Sequence, residues 1–204
     1  MIMYNKIIDV LRQCIYHIVD PLIKGLASMG VTPNMITFFG FLLNVAASIV
    51  FVKDNAGLGG LLMLVAGLFD MMDGRMARIM HQESRFGAVW DSTLDRYSEM
   101  FCLFGITFFF LQEWKFNTAI VTFVAMIGSV MVSYVRARAE GMDIECKVGV
   151  MQRTERVVLL ALGAILTGVS GELVCLTIAV WVIAIGANLT AFRRLWHCRK
   201  MTKR

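Results

Sequence analysis

The stretch from Asp70 to Asp95, DMMDGRMARIMHQESRFGAVWDSTLD, limits what this chain can fold into more than any other. It places four aspartates inside a sequence that is otherwise oily. They form two pairs, Asp70/Asp73 and Asp91/Asp95. Spacings of three and four put each pair on one face of a helix. A charge in a membrane-length helix is expensive, so it needs a partner or a task. Converging carboxylates with nothing basic at the centre point to a hard divalent cation such as Mg²⁺.

The 204 residues are 58% hydrophobic, and the mean hydropathy is +0.68. A soluble domain is less apolar than that. Two prolines and glycine-punctuated apolar runs favour helices over a barrel. The expected fold is an all-α integral membrane protein, one domain over 1–204. A net charge of +5 raises the question of nucleic acid. No soluble region is large enough to bind it, so membrane topology explains the basic residues better. Cys14, Cys102, Cys146, Cys175 and Cys198 are scattered without a CxxC pair and read as unpaired fillers. Asp9, Arg12 and Asp20 interrupt the first apolar residues, which argues against a cleavable signal peptide.

Residues 2–29 alternate apolar and polar at helical spacing. Ile8, Leu11, Ile15, Ile18 and Leu22 share a face, as in an amphipathic helix lying in the membrane interface. Asp20-Pro21 has the form of an N-cap and first helical residue. Gly30 closes the segment, and Thr32-Pro33-Asn34 turns into a six-helix bundle over 35–195. A span needs about 20 apolar residues. The spans are expected at 35–53, 57–80, 87–111, 116–140, 153–170 and 172–194. The even-numbered loops and both termini carry 18 of the 20 Lys and Arg. The positive-inside rule therefore puts both termini in the cytoplasm of a cell (inner) membrane. Asp70 lies about 20 Å along the second span at 1.5 Å per residue, so all four aspartates fall near the cytoplasmic edge. They are expected to face one another across a helical hairpin.

Arg136, Arg138, Arg153, Arg156, Arg193 and Arg194 gather at a similar depth. An acidic cluster beside a basic rim suits a phosphorylated substrate. Two divalent ions on aspartates grip a diphosphate symmetrically, and one aspartate can take a proton from an attacking hydroxyl. Gly74 and Ala77 keep one wall low, Gly87 opens the facing helix, and Arg78 reaches towards a phosphate oxygen.

The same stretch reads DxxDGxxAR, eight residues, then GxxxDxxxD, filled by Asp70, Asp73, Gly74, Ala77, Arg78, Gly87, Asp91 and Asp95. It resembles the signature of the CDP-alcohol phosphatidyltransferases without departure. GVTPNMITFFG (30–40) resembles that family's approach to its first span, and the likeness covers the whole chain. The resemblance implies displacement of CMP from a CDP-linked lipid, usually CDP-diacylglycerol, by an alcohol. It implies two Mg²⁺ or Mn²⁺ ions on Asp70, Asp73, Asp91 and Asp95, with Asp95 also the general base. Pro33, Asn34, Asp73, Gly74, Ala77, Arg78, Ser84 and Gly87 would form the CDP-lipid site. It further implies a homodimer with its active site open to the cytoplasm.

The signature does not name the acceptor. SYVRARAEG (133–141) and GVMQRTER (149–156) resemble the branch that takes phosphorylated polyols, including phosphatidylinositol phosphate synthases and phosphatidylglycerol phosphate synthases. A phosphate dianion asks for converging basic groups. Arg136, Arg153 and one of Arg193 and Arg194 are expected to supply them. The usual lysine at one such place is Arg136 here, which keeps charge and changes geometry. Inositol 1-phosphate is the favoured acceptor, ahead of glycerol 3-phosphate and free inositol. A transporter with an intramembrane carboxylate site is the rival outside enzymology. It would want its carboxylates at the midplane and an internal repeat, and the chain offers neither. Arg138 and Arg156 have local candidates for pairing in Glu140 and Glu155. Met71, Met72 and Met76 are candidates for a lipid groove.

Overall fold

The computed structural model describes residues 19–202. The first part of the expected interfacial helix, through residue 18, lies outside them. The remainder is helical over 19–28 and is called α1 here. Six longer helices follow: α2 (Pro33–Val52), α3 (Ala56–Ile79), α4 (Arg85–Gln112), α5 (Phe116–Glu140), α6 (Arg153–Ser170) and α7 (Val174–Met201).

Local chemistry sets the ends. Pro33 opens α2 after an extended Thr32, where its fixed φ suits a helix and its missing N–H costs nothing. Asn55 caps α3 by accepting from Leu58 N at 3.0 Å, and Ser84 caps α4 by accepting from Gly87 N at 2.9 Å. Each connection contains a residue in the left-handed region: Gly30, Asp54, His81, Trp114, Asp143 or Gly171. The expected boundaries agree closely except in α7, which runs to Met201 rather than 194. Its basic end continues as helix because Arg194 is buried against neighbouring elements.

The six long helices close a ring. In order around it, α2 packs on α3, α3 on α6, α6 on α7, α7 on α5, α5 on α4, and α4 on α2. Consecutive α3 and α4 touch little, so the expected hairpin is wedged by α2, which lies against both. Inside the ring Phe51, Met63, Leu103, Ile106, Phe110, Leu160, Leu176 and Ile183 form a continuous core. Small residues bring backbones together, as is usual for helices in lipid. A methyl group on Gly105 would come within 2.6 Å of Ser48 O, and one on Gly60 within 2.6 Å of Ala161 O.

Four helices, α2, α3, α5 and α7, are long and apolar enough to cross a membrane, which marks the chain as a membrane protein. The helices α4 and α6 fall short because of charge. The last 18 residues of α4 hold Asp95, Arg96 and Glu99, and the 18 of α6 hold Arg153, Glu155 and Arg156. Most of these charges are paired inside the ring. Arg156, fully buried, binds Glu99 through Nε (2.5 Å) and Nη2 (2.8 Å) and gives Nη1 to Met151 O at 2.9 Å. Its partner is thus 57 positions away in sequence, not Glu155. Arg136, rather than Arg138, pairs with Glu140 at 2.8 Å.

Two further expectations about the start of the chain are corrected. Val19 and Asp20 are already helical, so Asp20 is no N-cap. Its carboxylate instead accepts from Arg75 Nε and Nη2 at 2.9 and 2.8 Å, tying α1 to α3. Met72 and Met76 do not line a lipid groove. They pack with Ile23 and Ile36 beneath α1, because the face of α3 behind the aspartates is covered by that helix.

Candidate active site

All four aspartates lie at one end of the ring, on the C-terminal part of α3 and the N-terminal part of α4. The close approach of α2 helps to place them: a methyl on Gly40 would meet Phe69 Cβ at 3.1 Å and Asp70 Oδ1 at 3.3 Å. The carboxylates are near enough to act on one another's charge. They do not enclose a bare centre, however. Arg153, at the first position of α6, reaches between them. Its Nη2 is 2.7 Å from Asp70 Oδ2 and its Nη1 is 2.8 Å from Asp95 Oδ1. The expectation of nothing basic at the centre is corrected on this point. Bridging two like charges from different helices with one cation offsets their repulsion in a site largely screened from water.

The carboxylates open onto three cavities. The first, about 200 Å³, is walled by α2, α3 and α4. Its lining includes Pro33, Asn34, Asp73, Gly74, Ala77, Arg78, Ser84 and Gly87, with Thr37 and Asp91 beside them. The structure thus gathers into one cavity all eight residues expected at the CDP-lipid site. Gly74 and Gly87 leave the room anticipated for them. Nothing but the end of Arg78 lies within 4 Å of a methyl on Gly74, while a methyl on Gly87 would crowd Ser84 Oγ and Asn34 Oδ1. Gln82 and Glu83, in the loop after α3, also line it and had no motif to announce them. Next to it, Met35, Phe38, Phe39, Phe86 and Trp90 form an apolar recess that shares Asn34.

A second cavity of about 180 Å³ lies on the other side, among α4, α5, α6 and α7. It is lined by Asp95, Arg96, Val132, Ser133, Arg136, Gln152, Arg153, Thr154 and Arg194. Arg136, Arg153 and Arg194 therefore come together as expected for an anion, and Arg194 rather than the exposed Arg193 is the one that faces it. Arg194 is held by donating to Val148 O (2.9 Å) and Val132 O (2.6 Å). The third cavity, about 320 Å³ between α3 and α6, is mainly apolar. Asp70 and Arg153 stand at one end of it, with Met71 and Val157 further along.

The donor set suits a hard divalent ion. It consists of carboxylate oxygens only, and Asp73 Oδ2 is buried without any hydrogen-bond partner, a costly state that a cation would relieve. Among the described residues no three such side chains are gathered as a finished ligand cage, and Arg153 pairs with both Asp70 and Asp95.

Residues 30–192 match the CDP-alcohol phosphatidyltransferase family model, and the chain belongs to that family. It is 36% identical over 178 residues to archaetidylinositol phosphate synthase of Pyrococcus horikoshii, covering 87% of this chain and 88% of that one. It is 34% identical over 190 residues to phosphatidylinositol phosphate synthase of Mycobacteroides abscessus, covering 92% and 86%. Among solved structures it is similar to the Mycobacterium tuberculosis phosphatidylinositol phosphate synthase with CDP-DAG bound. The TM-score there is 0.83 at 30% identity, over 89% of this chain and 94% of that one. The same enzyme in complex with manganese and citrate gives a TM-score of 0.84 at 29% identity, over 88% of each chain.

Proposed function

We propose that this enzyme transfers a phosphatidyl group from CDP-diacylglycerol to a hydroxyl of inositol 1-phosphate, giving phosphatidylinositol phosphate and CMP. The observation that carries this reading is the pair of cavities flanking one acidic centre. One gathers the eight residues expected around a CDP diphosphate, and the other is lined by Arg136, Arg153 and Arg194, which suit a phosphorylated acceptor. Two relatives whose lipid names differ, archaetidyl and phosphatidyl, are both named inositol phosphate synthases, which favours the acceptor over glycerol 3-phosphate or free inositol.

Asp70, Asp73, Asp91 and Asp95 hold two divalent ions, Mg²⁺ or Mn²⁺. When bound, these neutralise the diphosphate and the charge that develops on the departing CMP. Asn34, Gly74, Ser84 and Gly87 admit the nucleotide close to the backbone, and Arg78 steadies a phosphate oxygen. Asp95, the carboxylate that borders the second cavity, takes the proton of the attacking hydroxyl. Arg136, Arg153 and Arg194 fix the acceptor's phosphate and so orient that hydroxyl. All six long helices span the membrane, with α1 lying in the interface, both termini and both polar cavities cytoplasmic, and the enzyme a homodimer.

One assay tests the reading. Purified protein is incubated with CDP-diacylglycerol and Mg²⁺ or Mn²⁺, and CMP release is compared with inositol 1-phosphate, glycerol 3-phosphate, inositol and serine. The expected order places inositol 1-phosphate first. A faster reaction with glycerol 3-phosphate would reassign the acceptor, and substrate flux without CMP release would make the protein a transporter.

A further inference from the structure

We infer that Arg153 serves two anions in turn: it holds Asp70 and Asp95 before divalent ions arrive, and it moves to the acceptor's phosphate once they have bound. Metal loading would then create the acceptor site. This rests on the reading above that the aspartates hold metal and that the acceptor is a phosphate monoester.

Two arginines one turn apart on α6 show the contrast. Arg156 is sealed from solvent and each of its three nitrogens is bonded, two to Glu99 and one to Met151 O. That rung is fixed. Arg153 is a quarter exposed, and its Nε is buried with no partner. Its two pairs are made with the same carboxylates that a divalent ion would claim. It also borders the cavity it would have to move into. An ion on Asp70 and Asp95 removes both partners of the guanidinium and repels it.

The other cations of that cavity are engaged. Arg96 donates to Ser92 O, Arg136 pairs with Glu140, and Arg194 holds two carbonyls. Releasing Arg153 therefore supplies the cavity it already borders with a guanidinium no longer paired to Asp70 and Asp95. Thermodynamic linkage makes the effect mutual: metal raises affinity for the phosphate, and the phosphate raises affinity for metal by the same factor.

The test is equilibrium binding of Mn²⁺ to the purified full chain, measured by calorimetry with and without a phosphate monoester and with no CDP-lipid present. Inositol 1-phosphate and glycerol 3-phosphate are the two probes. In the wild-type chain a monoester is expected to tighten Mn²⁺ by a factor within the usual allosteric range, roughly 5–150-fold. Arg153→Ala is expected to bind Mn²⁺ more tightly than wild type when no monoester is present, because the competing cation is gone, and to show no coupling. Arg153→Lys keeps the charge on one nitrogen and is expected to retain a reduced coupling, which separates loss of exchange from loss of folding. Coupling with glycerol 3-phosphate alone would leave the exchange standing and reassign the acceptor. Unchanged or weaker Mn²⁺ binding by a folded Arg153→Ala, or coupling that survives it, would overturn the inference. So would the absence of coupling to either monoester in the wild type.

Discussion

Asp95 borders the cavity that holds Arg136 and Arg194, Asp73 and Asp91 border the one walled by α2, α3 and α4, and Asp70 borders the apolar one between α3 and α6. That division gives the four carboxylates different duties. Asp95→Asn is expected to lower kcat by about 10²–10⁴-fold, the range for removing a general base, while CDP-lipid binding measured directly changes little. Normal CMP release by that variant would take the base role from Asp95. One turn along α4, Glu99 has the opposite character, since it is buried and, among the described residues, forms its ion pair with Arg156. Removing one partner of a buried pair leaves an uncompensated charge, so Glu99→Gln is expected to cost about 3–5 kcal/mol. A double change, Glu99→Leu with Arg156→Met, is expected to recover most of that in thermal unfolding of the detergent-solubilised protein. A double variant no more stable than the single one would show that the bond from Arg156 to Met151 O carries the effect.

Helices in this molecule meet through glycine, and the position of each crossing has a measurable weight. Gly105 of α4 lies against the backbone of Ser48 on α2, where Ser48 Oγ also donates to Phe101 O at 2.6 Å. The backbone cannot yield as a flexible side chain would. Gly105→Ala is therefore expected to cost about 1–3 kcal/mol by overpacking, read as a lower melting temperature, and an unchanged Tm would mean the two helices part easily. Much of this layer was legible beforehand, because Pro33, Asn55, Ser84 and Gly171 mark helix ends in ways local chemistry dictates. Five of the eight residues expected at the CDP-lipid site, Asp73, Gly74, Ala77, Arg78 and Gly87, were legible through a spaced motif, and Pro33 and Asn34 through the segment that opens α2. The partners of Arg153 and Arg156 were not, since they lie 83 and 57 positions away and periodicity along one helix is silent about its neighbour across a ring. The same blindness hid the covering of Met72 and Met76 by α1.

At the scale of the molecule, the ring explains why charge is tolerated on α4 and α6. Arg153 and Arg156 of α6 meet Asp95 and Glu99 of α4, so much of the cost of these charges in an apolar surrounding is offset by pairing. It also explains why the sites sit apart: α2, α3 and α4 wall one cavity, and α4 to α7 wall the other, with no residue lining both. Two guests in cavities with different walls need not wait for each other to leave. The enzyme is then free to hold donor and acceptor together and pass the phosphorus between them in a single displacement. Initial-rate plots against each substrate should form intersecting lines, and a chiral phosphorus in the donor should emerge inverted. Parallel lines with retained configuration would instead mean that the chain itself carries the lipid between two half-reactions.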